Sequence, residues 1–255
     1  MKILKIILRS PLALFRLVLV VVFTFLMYVT LVFVLFVHKK KPVNTLWHLM
    51  NFWCRYMLTL IGVAVDLEIE GEMDKPGLIL SNHRSYIDIF INLSLHSARI
   101  IAKREIGSWP LIGYGLRAFD ALLLDRSSIA SRMESIRIME EVLKNNESLI
   151  VYPEGTTHRG PELGPIKEST YRIAANNNSW VYPVAIEYKN QDDAWIGKEL
   201  FVPHFIRRSG AIERHVAVRV GAPFRSTDGK ELKEYVEGFL RDRISKIRNN
   251  YDRKE

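Results

Sequence analysis

The chain has 255 residues, a formal net charge of +8 and a pI near 9.5, a balance that suits nucleic acid, an anionic membrane surface or phosphorylated substrates. Nucleic acid is set aside as a partner because basic residues cluster beside an apolar segment rather than along a recognition helix. The single cysteine, Cys54, excludes an internal disulfide, and its Trp- and Leu-rich surroundings give it a packing role.

Leu17 to Val37 carries no charge and is almost wholly apolar. As a helix it extends roughly 31 Å, about the thickness of a bilayer's hydrocarbon core. It is too long for the apolar core of a signal peptide, and it ends in His38-Lys39-Lys40-Lys41-Pro42 without a small-residue cleavage site. A permanent membrane anchor is expected. Lys2, Lys5, Arg9 and Arg16 stud the segment before it and read as interfacial. Thr45 to Ile61, with Trp47, Phe52, Trp53 and Tyr56, reads as a second helix lying in the headgroup zone. Lys and Arg flank the anchor on both sides, so charge alone gives no orientation. Residues 1–62 are thus expected to form the anchor and 63–255 a separate catalytic unit.

From Val63 onward strand and helix signals alternate. Val65 to Gly71 alternates apolar and acidic, as a half-exposed strand does, and Gly77 to Leu80 reads as a buried strand. Tyr86 to Leu95 is a helix. Arg99–Ala102, Ala121–Leu124, Ser148–Tyr152, Trp180–Tyr188 and His215–Val220 are strands. Helices are expected over Trp109–Ala118, from a cap at Ser127 or Ser128 through Leu143, over Thr170–Asn176, and from Gly229 to Ile247. The pattern predicts an α/β fold with a mostly parallel central sheet flanked by helices, carrying the N-terminal hydrophobic helix.

Ser81-Asn82-His83-Arg84-Ser85-Tyr86-Ile87-Asp88 falls between a strand's C-terminal end and a helix start, where ligands bind in open α/β sheets. Asp88, five residues beyond His83, is placed to accept a hydrogen bond from one ring nitrogen and leave the other free to take a proton. A surface or capping pair gives the same pattern. Three more stretches follow strands. Asp125-Arg126 offers a forked phosphate ligand or a surface salt bridge. Tyr152 to Gly160 reads as an anion nest around Gly155 or a plain Gly-Thr turn. Val181 to Ile186 reads as a core strand with its proline at an edge position.

Taken together these stretches resemble the glycerolipid acyltransferases, above all the 1-acylglycerol-3-phosphate acyltransferase family. Its N-H-x4-D mark is matched by Asn82 to Asp88, its Arg-terminated block by Phe119 to Arg126, its P-E-G-T block by Pro153 to Thr156, and its V-P-V-A block by Tyr182 to Ala185. Order and spacing fit from about Leu58 to Val220. The resemblance implies acyl transfer from acyl-CoA or acyl-carrier protein to a lipid hydroxyl, with no cofactor, no metal and no covalent acyl-enzyme. His83 would be the general base and Asp88 its orienting partner. Arg126 would bind the acceptor phosphate, with Lys103 a weaker candidate, and Glu154, Gly155 and Thr156 would shape the acceptor pocket. Because the donor is made in the cytoplasm, the catalytic unit is expected on the cytoplasmic face of the inner membrane.

Two departures lie on the acceptor side. Thr157 stands where the family usually has Arg or Ser, with Arg159 two residues on as a candidate replacement. Lys167 is followed by Glu168 and Ser169, without the family's Gly. A different lysolipid acceptor such as lyso-ornithine lipid is therefore an alternative, and Asp192–Gly197 with Val202–Phe205 resembles lyso-ornithine lipid acyltransferases. Two rivals from other classes are a metal hydrolase using His83, Asp88 and His96, whose spacing matches no defensible ligand pattern, and a non-catalytic membrane-bound lipid-binding protein.

Overall fold

A computed structural model of the protein describes residues 2–38, 42–108, 112–124, 129–197 and 199–253. Its strands are β1 (Val63–Ile69), β2 (Gly77–Ser81), β3 (Arg99–Lys103), β4 (Leu122–Leu124), β5 (Leu149–Val151), β6 (Trp180–Tyr188) and β7 (Arg214–Val220). They form one seven-stranded sheet in the order β1-β7-β6-β2-β5-β3-β4. Every neighbouring pair is parallel except β6 with β7. The helices are α1 (Lys2–Val37), α2 (Val43–Leu60), α3 (Ile87–Leu95), α4 (Ile112–Ala118), α5 (Ile129–Lys144), α6 (Ser169–Asn176), α7 (Phe201–Ser209) and α8 (Gly229–Asp252). The mostly parallel α/β sheet flanked by helices is the expected architecture.

The pleat sorts the core strands between two apolar layers. Leu78, Leu80, Leu149, Val151, Val181 and Ala185 face α5, α6 and α8. Ile79, Ile150, Tyr182, Val184 and Ile186 face α2, α3 and α7. Successive side chains leave a strand on opposite sides, so a strand covered on both faces is apolar throughout. β6 is such a strand. It lies between β7 and β2, which corrects the edge position expected for Pro183. Its pairing with β7 stops at Val184, and the Pro183 carbonyl accepts from Gly221 N at 2.9 Å. In a strand N and O of one residue point the same way, so the missing N–H faces Gly221 just past the end of β7, a single lost bond flanked by Gly221 N to Pro183 O and by the Val181–Phe224 bridge.

The N-terminal helices depart most from expectation. α1 runs unbroken from Lys2 through Pro11 to Val37, and Ser10–Val37 is long and apolar enough to cross a membrane. Phe15, Val18, Val22, Phe25, Val29 and Phe33 form an exposed stripe at helical spacing. Its other side is docked: Phe23 packs on Phe52 and Tyr56 of α2, and Tyr28 on Tyr114 of α4. Nor does α2 lie only in a headgroup layer. Leu46, Met50, Cys54, Met57 and Leu58 are buried, and Met50, Cys54 and Leu58 share a core with Ile87 and Ile91 of α3.

Arg16, expected at the interface, is a bolt. Its guanidinium donates to the carbonyls of Ser209 at 2.7 Å, Ile212 at 2.8 Å and Ala211, capping the C-terminal end of α7. It also fills the space over Gly62, whose φ of +72° suits glycine and where a Cβ would come within 2.6 Å of the guanidinium. α7 itself was not anticipated. The cap at Ser127 or Ser128, Trp109 at the expected start of α4, and Lys39–Lys41 lie outside the described residues. Charge-assisted hydrogen bonds contribute about 1.5–3 kcal/mol in total where they end a helix. Arg16→Ala should therefore lower the melting temperature by roughly 4–8 °C and speed tryptic release of α1 from the rest of the chain, measured by limited proteolysis in detergent.

Candidate active site

β2 is buried throughout, so the chain leaves the sheet at Ser81 into a turn that must satisfy its own backbone away from water. Asn82 does this first. Its side chain donates to Ile186 O at 2.8 Å and accepts from Ile186 N at 2.7 Å, replacing two ladder bonds to β6. Asp88 does the rest. Wholly buried at the second position of α3, its Oδ2 accepts from Arg84 N at 2.6 Å, Ser85 N at 2.7 Å and His83 Nδ1 at 2.9 Å. Its Oδ1 accepts from the Tyr188 hydroxyl at 2.7 Å. Its place in the first turn of α3 also favours a negative charge.

A carboxylate with four donors stays an acceptor, so Nδ1 of His83 carries the proton and neutral imidazole has its lone pair on Nε2. The ring stacks on Tyr152, centroids 4.0 Å apart and planes 17° from parallel. Burial and the Asp88 charge push the phenols of Tyr152 and Tyr188 well above the ordinary tyrosine value, so both stay neutral, Tyr188 donating to Asp88 and Tyr152 accepting from Asn92 Nδ2 at 3.1 Å. His83 keeps 17 % of its side chain exposed, so the ring is reachable by a ligand.

The P-E-G-T stretch meets this loop from β5. Glu154 is buried, and its carboxylate accepts from His83 N at 2.8 Å and from Gly164 N at 2.7 Å. It braces the His83 turn rather than facing outward. Gly155, at φ +73°, turns the chain where a Cβ would lie 2.7 Å from Lys167 Nζ. Thr156 is exposed beside it. Arg159 is exposed and pairs with Asp192 at 3.0 Å, away from the turn. Arg126 and the side chain of Lys103 lie outside the described residues. His96 is at the far end of α3, 2.9 Å from Ser148 Oγ, its pKa lowered by burial; it does not join His83 and Asp88.

Sequence reasoning gave no role to two contributors, Tyr188 and Arg84, and noted Lys167 only as part of an acceptor-side departure. Tyr188 closes the shell of Asp88. Lys167 brings a cation to Gly155. Arg84, 1 % exposed, donates to Glu187 at 3.2 Å and to the carbonyls of Pro161 and Glu162, each at 3.0 Å, tying the His83 turn to the 158–162 loop. Only Lys167 left a signal, as a charge shortly after the third motif.

An imidazole on a strand-to-helix turn, oriented by a buried carboxylate and partly open to solvent, has the chemistry to accept a proton from a hydroxyl. Residues 58–187 match the family model described as Acyltransferase. The chain belongs to that family and is an acyltransferase. It is 27 % identical over 220 residues to the lyso-ornithine lipid O-acyltransferase of Rhizobium meliloti, covering 77 % of this chain and 75 % of that protein. It is 30 % identical over 142 residues to a chloroplast 1-acyl-sn-glycerol-3-phosphate acyltransferase of Arabidopsis thaliana, covering 55 % of this chain and 39 % of that longer protein. The fold matches the crystal structure of the 1-acyl-sn-glycerophosphate acyltransferase PlsC from Thermotoga maritima with a TM-score of 0.71 over 97 % of this chain and 98 % of that one, at 21 % identity.

The buried phenols set a pH limit. Tyr86 is pushed up to about 12 by burial, and Tyr152, Tyr171 and Tyr188 are raised as well. Above about pH 10 the unfolded chain loses these protons and the folded one keeps them. The folded state then binds more protons, so stability falls as pH rises. Urea midpoints should be flat just below this range and drop above it. Tyr188→Phe should flatten the alkaline drop while lowering stability at neutral pH by about 1–3 kcal/mol, because Asp88 loses a buried donor.

Proposed function

We propose that the protein moves an acyl chain from acyl-CoA or acyl-carrier protein to the free hydroxyl of a lysolipid, with 1-acylglycerol 3-phosphate as acceptor and phosphatidic acid as product. The observation that carries this reading is the Asp88–His83 pair with Nε2 left open, in a chain of the acyltransferase family. Nε2 takes the acceptor's hydroxyl proton as that oxygen attacks the thioester carbonyl. The imidazolium formed is stabilised by Asp88. It returns the proton to the departing thiolate, so the sum is one ester made, one thioester broken and a free thiol. The thioester is already activated, so no metal and no acylated side chain is needed. Glu154 and Tyr152 hold the base in place. Lys167, over Gly155, and Arg126 are assigned to the acceptor's phosphate, with Thr156 at the rim.

A second acceptor is favoured by a specific observation. The lyso-ornithine lipid O-acyltransferases of Rhizobium meliloti and Brucella abortus align over 77 % and 76 % of this chain, against 55 % for the Arabidopsis thaliana and 51 % for the Neisseria meningitidis 1-acyl-sn-glycerol-3-phosphate acyltransferase. An ornithine headgroup offers a carboxylate, which Lys167 would meet as it would a phosphate. The membrane reading is that the lipid-facing stripe of α1 seats the enzyme on the cytoplasmic face of the inner membrane, where thioester donors are made.

A donor-by-acceptor matrix with purified protein in detergent, read by mass spectrometry of the lipid product, decides the acceptor. In that assay His83→Ala should lose about 10²–10⁴-fold in turnover while remaining folded. Near wild-type turnover would sink the mechanism. Incubation with donor alone should leave the intact protein's mass unchanged. Lys167→Ala should raise the acceptor's KM by about tenfold with little change in the donor's, as expected for one charge-assisted contact. Arg159→Ala, held in its exposed pair with Asp192, should be nearly silent.

A further inference from the structure

Behind the His83 turn, on the other side of Tyr86, lies a polar cavity of about 630 Å³ between the end of β6, the end of α7, the start of β7 and α8. Lys189, Arg208, Arg214 and Arg248 line it, with His215, against the two carboxylates Asp193 and Glu213. Those carboxylates are already committed. Asp193 takes two bonds from Arg208, at 2.9 and 3.1 Å, and faces Arg214 at 3.5 Å; Glu213 sits 3.1 Å from His215. Arg248 spends its bonds on Glu187, which Arg84 shares, and on two carbonyls. Arg214 donates its Nη2 to Ile61 O at 2.8 Å and lies against the Tyr86 hydroxyl, while its Nε and that of Arg248 are buried without a geometrically sound hydrogen bond, and Lys189 has no carboxylate partner among the described residues. A nearly buried arginine, 1 % exposed in the side chain of Arg214, is stable only when its charge and donors are answered. Here the cations outnumber the anions.

The position of the cavity narrows what would answer them. Ala211 and Ile212 belong to its wall, and their carbonyls receive the guanidinium of Arg16. Arg16 is where the exposed stripe of α1 begins, and Ile212 beside it is 86 % exposed. The cavity thus opens where the lipid-facing surface starts. We infer that it is a second anion site, separate from the acceptor site, which takes a phosphate group through Lys189, Arg208, Arg214 and Arg248. Two sources supply that group there: the phosphodiester of an anionic lipid headgroup and free phosphate. Because Arg248 holds Glu187 and Glu187 holds Arg84, a bound anion bears on the turn that carries His83.

The test is binding, read without turnover. Thermal unfolding of the full-length protein is followed in neutral detergent with sodium phosphate against sodium chloride of equal ionic strength. It is then followed in vesicles of phosphatidylcholine alone and of equal parts phosphatidylcholine and phosphatidylglycerol. A phosphate ligand at about ten times its Kd should raise the melting temperature by roughly 3–5 °C. Lys189→Glu and Lys189→Gln, at the half-exposed rim, should fold and lose that rise. A rise in both arms makes the site accept phosphate from either source; a rise with phosphatidylglycerol alone makes it a lipid-headgroup site. No rise in either arm, or a rise kept by both Lys189 variants, overturns the proposal. So does a rise lost in Lys167→Ala instead, since phosphate would then be in the acceptor site.

Discussion

The structure around the site depends on one buried carboxylate. Taking Asp88 out of water costs several kcal/mol unless its lone pairs are met. Four donors meet them, two from the backbone of its own turn, one from β6 and one from His83. The two backbone donors force residues 84 and 85 to curl toward the start of α3, and that curl aims the His83 side chain. The same hydrogen bonds that make the fold tolerable therefore fix the tautomer of His83. Weakening the carboxylate shell disturbs stability and the setting of the His83 ring together, because one set of contacts serves both.

The turn is then pinned from three directions by groups far apart in sequence. Asn82 reaches Ile186, Glu154 reaches His83, and Arg84 reaches Glu187 and the 158–162 loop. A side chain held this way loses little orientational freedom when a ligand arrives. The cost is a pair of buried charges, Arg84 and Glu187. Their geometry is good enough to offset desolvation only because Arg84 also has carbonyls to donate to.

What was legible in the sequence follows from range. The strands are read from their apolar runs, and the parallel sheet from their alternation with helices. The His83–Asp88 contact is read because both residues belong to one turn of chain. What was not legible is long-range. Tyr188 looks like an ordinary end of a core strand until β6 is laid beside β2, and Arg84 looks like a surface charge until the 158–162 loop closes over it. Pro183 suggests an edge because a proline gives no ladder donor, yet in the middle of the sheet it costs only one bond, beside Gly221 at the end of β7. α7 escaped because it is only nine residues long and holds a proline at its third position, so its strong amphipathic pattern spans too few turns to stand out. Arg16 misled because an arginine before an apolar run has the pattern of a headgroup anchor, whatever its guanidinium finally caps.

The packing of α2 changes how an anchor and a site are connected. One face of α2 meets α1, and the other enters the core with α3, whose first turn holds Asp88. Residues 1–62 are thus continuous in packing with the catalytic layer rather than tethered to it. A flexible tether would let His83 sample many positions relative to α1. With α1 bolted by Arg16 and α2 shared with the core, the exposed apolar stripe and His83 move as one body. The height of Nε2 relative to the stripe is then a property of the fold, set by the same apolar contacts that stabilise it.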